Sequence, residues 1–173
     1  MGSGIAGVGC RKWLPVVIDM ARAMRGGPMA AWEGNRTSYF GVMPKGGTAA
    51  DLRRVESDAC FMFHSANAFE RGDEIVIDVA GSPRAPLMPG ADGSLPTHEE
   101  SRFAMRRWVI GKTGMRAETI DPLDVQFPRI DDRRQGQPYR ATYANGTARP
   151  TAGRTDGFDM LARIDVESGA RDS

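Results

Sequence analysis

The chain is short of the residues that most often announce a function. In 173 residues it has two cysteines, Cys10 and Cys60, and two histidines, His64 and His98. Two cysteines build no disulfide framework. Cys60 stands in an apolar run and reads as a small buried hydrophobe, and the setting predicted is a reducing cytoplasm. Two histidines are too few for a metal cluster made from this sequence alone. No Ser/His/Asp set stands out, so no residue is put forward as catalytic. An excess of charge of one sign is also missing: Lys+Arg 23 against Asp+Glu 22 leaves +1. No net field therefore recruits nucleic acid or acidic lipid. No apolar run approaches the ~20 residues of a membrane-spanning helix. Two nucleotide-binding signatures fail on context. Gly111-Lys112-Thr113 has Arg106 where a phosphate loop needs glycine, and Gly2-Ser3-Gly4-Ile5-Ala6-Gly7 has no strand before it.

What is present is turn chemistry. Gly 21 and Pro 11, with 40% hydrophobic and 26% charged residues, suit many short strands better than long helices. Residues 1–12 are glycine-rich and patternless and are expected to be a flexible N-terminal segment, leaving 13–173 as one domain. Residues 13–20 (WLPVVIDM) form the first apolar run, with Pro15 at an edge or strand start. Asp19 to Arg25 predicts a short helical turn stopped by Gly26-Gly27-Pro28. Strands are predicted at 36–43, 52–55, 59–63, 74–79, 103–110, 115–120, 125–130, 138–143 and 160–166. Residues 81–101, rich in proline and glycine, read as a long loop, either a surface excursion or a lid. Eight to ten short strands with turns between them make the chain all-β. The strand–turn–strand units 103–120 and 158–171 look like outer parts of propeller blades, and a closed sandwich fits the pattern about as well.

The organising stretch is Cys60 to Glu70 (CFMFHSANAFE), followed by Arg71-Gly72-Asp73 and the apolar return Glu74 to Asp78. It reads as two strands with one imidazole in an otherwise apolar run. Taken alone, His64 is more often a satisfied core or surface histidine than a metal ligand. Asn67, Glu70 and Asp78 read as turn and loop chemistry that holds the hairpin. Asp131-Asp132 beside Arg133-Arg134 reads as a solvated connection.

Phe63-His64-Ser65-Ala66-Asn67-Ala68-Phe69-Glu70, with Ile75-Val76-Ile77-Asp78 after it, resembles the carotenoid cleavage oxygenases, above all their lignostilbene-dioxygenase-like branch. The resemblance extends through Val17-Ile18-Asp19-Met20, Arg25-Gly26-Gly27-Pro28 and Tyr39 to Gly47 upstream. Downstream it takes in Leu123 to Asp131, Gln135 to Arg140, Leu161 to Asp165 and Ser168-Gly169. It covers residues 13–171. It implies a partial β-propeller, several blades of a seven-bladed fold that holds Fe(II) on four histidines and uses O2 to cleave a C=C bond. The substrates implied are apolar and conjugated: carotenoids, apocarotenoids or stilbenes.

The resemblance further implies that His64 is the third of the four ligands in chain order. The other three would lie outside this sequence, two before it and one after, as in the middle third of an oxygenase. His98 matches no motif and is not assigned. Gln126 stands where the family usually has a glutamate that accepts the ligand's other N–H. Its amide oxygen can accept the same bond without the charge. Phe63 stands at a position that can line the substrate tunnel, with plain core packing as the other reading. One imidazole does not hold iron usefully, so the isolated chain is expected to be inactive. The alternative is a non-catalytic propeller remnant or interaction module that binds no iron. Either way, exposed sheet edges predict self-association.

Overall fold

The computed structural model describes residues 11–13, 16–148 and 157–172. The expectation of a flexible segment over 1–12 therefore falls mostly outside the described residues, and Arg11 and Lys12 belong to a strand. The described chain is all-β. Its thirteen strands form four antiparallel sheets with only short helical turns. β1 (Arg11–Trp13) pairs with β4 (Ser38–Val42), which pairs with β5 (Arg53–Ser57). β2 (Val16–Ile18) pairs with β3 (Ala30–Trp32). Between them α1 (Met20–Met24) forms where Asp19 accepts a hydrogen bond from the Arg22 N–H at 2.9 Å, and Gly26, at φ 84, ends it.

Two four-stranded meanders follow, each the shape of a propeller blade. The first runs β6 (Phe61–Arg71), β7 (Glu74–Ser82), β8 (Ala104–Ile110) and β9 (Met115–Asp121). The second runs β10 (Asp124–Arg129), β11 (Ala141–Thr147), β12 (Met160–Asp165) and β13 (Arg171–Asp172). Consecutive strands pair in order, as short turns require. The β6–β7 turn is the two residues Gly72-Asp73, with Gly72 at φ 62. A closed sandwich is not what forms. The two predicted hairpins are the outer strands of the two meanders.

The sequence of β7, EIVIDVAGS, lacks alternation because the strand is buried on both faces. Ile77 and Val79 pack with Phe40, Val55, Trp108 and Ile110 toward the β1-β4-β5 sheet. Val76 joins Phe69, Tyr139 and Val166, and Ala80 joins Phe61, Met105, Val125 and Ile164, toward the β10–β13 sheet. The sheets are thus held face to face through β7 and its neighbours.

Four expectations are corrected. Residues 81–101 are not a free excursion. The Trp32 N–H donates to the Pro89 carbonyl at 2.8 Å, Ala85 is buried, and α2 (His98–Ser101) is closed by a reciprocal Thr97–Glu100 cap. The strand expected at 138–143 begins at Ala141, because Tyr139 turns inward and the Arg140 carbonyl accepts from the Val166 N–H at 2.9 Å. Asp78 is not turn chemistry. It lies mid-strand with no exposure, bound by Arg107 at 2.8 and 2.9 Å and by the Tyr139 hydroxyl at 2.8 Å. Asn67 does not hold its own hairpin. It donates to the Arg134 and Gln137 carbonyls at 3.1 and 3.0 Å and accepts from the Gly136 N–H at 3.0 Å, tying β6 to the β10–β11 connection.

Candidate metal centre

His64 lies in β6 between two irregularities. Met62 pairs with Gly81 and His64 with Ala80, so Phe63 is an extra residue. Ser65 pairs with Val79 and Asn67 with Asp78, so Ala66 is another. Each bulge inserts one unpaired residue and re-aims its neighbours. The first sets Phe63 and His64 out of simple alternation. The second restores the phase in which Asn67 and Phe69 are buried.

Facing His64 is β10, which carries a bulge of its own: Gln126 pairs with Asn145 and Arg129 with Tyr143. Here Gln126 Oε1 sits 2.9 Å from His64 Nδ1. An amide oxygen only accepts, so Nδ1 carries the proton and donates. In the neutral ring Nε2 then keeps its lone pair, and it makes no hydrogen bond with another described residue. That is the form in which an imidazole binds a metal. A neutral amide fixes the tautomer as a carboxylate would, and it adds less to the basicity of the ligand.

The surroundings are aromatic. The Phe127 ring lies 4.4 Å from the imidazole, and Phe158 lies 5.7 Å beyond Phe127. Phe63 is 6.2 Å from the imidazole, stacks on Phe103 at 5.7 Å and meets Phe61 edge-on at 4.6 Å. Phe63 is 52% exposed. It therefore edges the aromatic cluster without being buried in it. The sequence did not single out Phe127 or Phe158. The signal that finds Phe127 is its φ of 54, which appears only in the folded chain.

The structure brings His64, Gln126 and Phe63 together and leaves His98 elsewhere. His98 is in α2, with Nε2 3.5 Å from Asp124 Oδ2. Among the described residues no three His, Cys, Asp or Glu side chains converge as a metal site. A neutral imidazole is the kind of donor iron takes, and His64 is the described imidazole that presents a free nitrogen here.

The family model for retinal pigment epithelial membrane protein (RPE65) matches residues 13–173. The chain belongs to the RPE65/carotenoid cleavage oxygenase family. An isoeugenol monooxygenase of Pseudomonas putida is 30% identical over 144 residues, which are 77% of this chain and 30% of that protein. A carotenoid cleavage oxygenase of Mycobacterium tuberculosis is 32% identical over 122 residues, 67% of this chain and 24% of its own. The crystal structure of Pseudomonas brassicacearum lignostilbene dioxygenase superposes with a TM-score of 0.78 at 25% identity, covering 93% of this chain and 36% of that one. The carotenoid-oxygenase fold is the architecture of the two meanders described above. The chain spans about a third of the length of these relatives.

Proposed function

We propose that this chain is the part of a non-haem iron(II) dioxygenase that contributes one iron ligand, His64, held by Gln126. The complete protein would cleave a C=C bond of a carotenoid, apocarotenoid or stilbene oxidatively, with O2 as co-substrate. The 173 residues by themselves would be inactive. The observation that carries this is the 2.9 Å contact between His64 Nδ1 and Gln126 Oε1, which leaves Nε2 in its ligand form. The names of the relatives, isoeugenol monooxygenase and lignostilbene dioxygenase, support a conjugated aromatic or polyene substrate. The half-exposed rings of Phe63 and Phe127 beside the imidazole give such a substrate an apolar wall, and Phe63 is assigned to it.

Iron, when bound, supplies the activation of O2 toward the double bond. This chain's residues orient: Gln126 holds the Nδ1 proton and fixes the ring edge, and the phenylalanines exclude water from that side of it. The setting proposed is the cytoplasm, in keeping with the free thiol of Cys60. No described helix is long and apolar enough to cross a membrane.

The test is a graft. Residues 13–172 replace the matching segment of the lignostilbene dioxygenase, and iron is measured after anaerobic Fe(II) loading. A folded graft with one iron per chain, lost in His64→Ala, is the expected result. In the same graft Gln126→Ala lowers iron affinity roughly 10–100-fold and Gln126→Glu raises it, as read by chelator competition. Full iron in a folded His64→Ala graft would sink the assignment. The second reading is a propeller remnant that binds no iron. A folded graft that takes up no iron would select it.

A further inference from the structure

Gln126 and Phe127 are sequence neighbours on one strand, yet both touch the same imidazole. Gln126 meets its edge through the 2.9 Å hydrogen bond, and the Phe127 ring lies against it with centroids 4.4 Å apart and planes tilted by 43°. A regular strand forbids this, because successive side chains point to opposite faces. The bulge between Gln126 and Arg129 and the left-handed backbone of Phe127, φ 54, make it possible.

That conformation is unfavourable twice over. A side chain with a Cβ rarely adopts positive φ, and the residue before a proline, here Pro128, is pushed toward extended backbone. Glycine would take the turn without strain. Core burial does not explain the phenylalanine either, since the ring stays 47% exposed while Val125 and Pro128 on either side are buried. Its ring contacts are His64 on one side and Phe158, itself 42% exposed, on the other. Backbone strain of this kind gathers where a side chain has to be aimed.

We infer that Phe127 is a positioning residue for His64. The kink of β10 swings its ring against the imidazole, so that Gln126 fixes the edge and the tilted Phe127 ring limits rotation of the plane. Phe158 backs the Phe127 ring from the far side. Together they hold Nε2 in one direction before any ligand arrives. This rests on His64 as a metal ligand for its purpose, and not for its test.

The test is side-chain NMR on the metal-free 173-residue chain with 15N-labelled histidine. Only two imidazoles contribute, and His98 is the internal control. In the parent, His64 shows one tautomer with a protected Nδ1–H. Phe127→Tyr keeps that signature. Phe127→Gly removes the ring and the strain together. The Nδ1–H then exchanges roughly fivefold faster or more, while the melting temperature does not fall. Phe127→Leu preserves bulk without the flat ring and gives the same loosening, should the glycine variant not fold. Protection at the parent's level in a folded Phe127→Gly or Phe127→Leu chain overturns the inference, and so does loss of protection in Phe127→Tyr. Loading the lignostilbene dioxygenase graft with Co(II), where the remaining ligands are present, tests the underlying reading separately. A shift at His64 Nε2 supports it, and a shift at Nδ1 or at neither nitrogen sinks it and leaves the metal-free result standing.

Discussion

A carboxylate with no exposure in the middle of a strand requires an answer for each of its oxygens. Asp78 has them: Arg107 binds both oxygens and the Tyr139 hydroxyl donates to one. Arg107 also reaches the half-exposed Glu167 at 3.0 Å. The guanidinium is held well above its ordinary value, first by the Asp78 hydrogen bonds. The Tyr139 hydroxyl is pushed up by burial and then by the Asp78 charge, so both keep their protons at any working pH. Removing one partner of a buried pair costs about 3–5 kcal/mol, because the other charge is left uncompensated. Asp78→Asn is expected at about 3 kcal/mol, the lower end, since Glu167 still faces Arg107. Tyr139→Phe, which loses one hydrogen bond to a charged acceptor, is expected at about 1.5 kcal/mol. Urea denaturation measures both, and equal costs for the two variants would contradict the network. None of this was legible in the sequence. Residues 78, 107 and 139 meet only through pairing and packing, and an aspartate after a hairpin looks like turn chemistry. That His64 and Gln126 meet was legible, because both lie in contiguous motifs of the resemblance.

At the scale of elements, what local chemistry dictates was readable. The Asp19 cap and Gly26 stop define α1, and Gly72 and Gly111–Gly114 mark the two hairpins of the first blade. What pairing dictates was not. The three-residue strands β1, β2 and β3 exist because partners lie beside them, which is why thirteen strands stand where eight to ten were expected. The bulges of β6 and β10 are silent too, since an extra residue has no composition of its own. They are consequential all the same. Deleting Ala66 should remove one bulge and shift Phe61–Ser65 by one residue against Asn67–Arg71, which reverses every side chain in that half of the strand. The expected readout is loss of the protected His64 Nδ1–H while the Asn67 bonds to the 134–137 connection persist. A deletion chain with both intact would show that the bulge is not what aims His64.

The turn after β12 gives a pH prediction. Asp165 accepts from Arg140 at 2.6 Å and from the Ser168 and Glu167 N–H groups at 3.0 and 3.1 Å. Arg140 first, then the Ser168 N–H, hold its carboxyl far below the ordinary 3.8. Asp131 is held at about 2, by the Arg133 guanidinium first and then by its N–H. A carboxyl depressed on folding contributes its full stabilisation above its unfolded value and loses it as pH falls through the folded one. Amide exchange at Glu167 and Ser168, taken relative to the intrinsic rate at each pH, should therefore be flat above pH about 4 and rise steadily below it. In Asp165→Asn it should already be faster at neutral pH and lose that acid dependence. An unchanged profile in the variant would place the control elsewhere.

For the whole molecule, the informative features are the strand edges without a pairing partner. Among the described residues β5, β6, β9 and β10 each pair along one side only. Met24, Ile18 and Leu161 are 87%, 71% and 63% exposed. The relatives are about three times longer, and in a propeller each blade packs against the next through its faces. All-β patterning was readable from the spacing of strands and turns. The choice of propeller over sandwich was not legible in that spacing, because both bury alternate faces; it was legible in the family resemblance, and the pairing order of the two meanders agrees with it. An unpaired strand edge is a template for another chain, although Arg116 and Glu118 on β9, paired with Glu74 and with each other, blunt one of them. The isolated chain is therefore expected to self-associate through β6 or β10, with apparent mass rising with concentration in size-exclusion chromatography with light scattering. Lysines at Ser65 and Ala68, exposed on β6, should lower that mass if β6 is the edge used. A sharp monomer peak at every concentration with cooperative melting would mean that these blades satisfy their own edges, and the 173 residues would then stand as a folding unit in their own right.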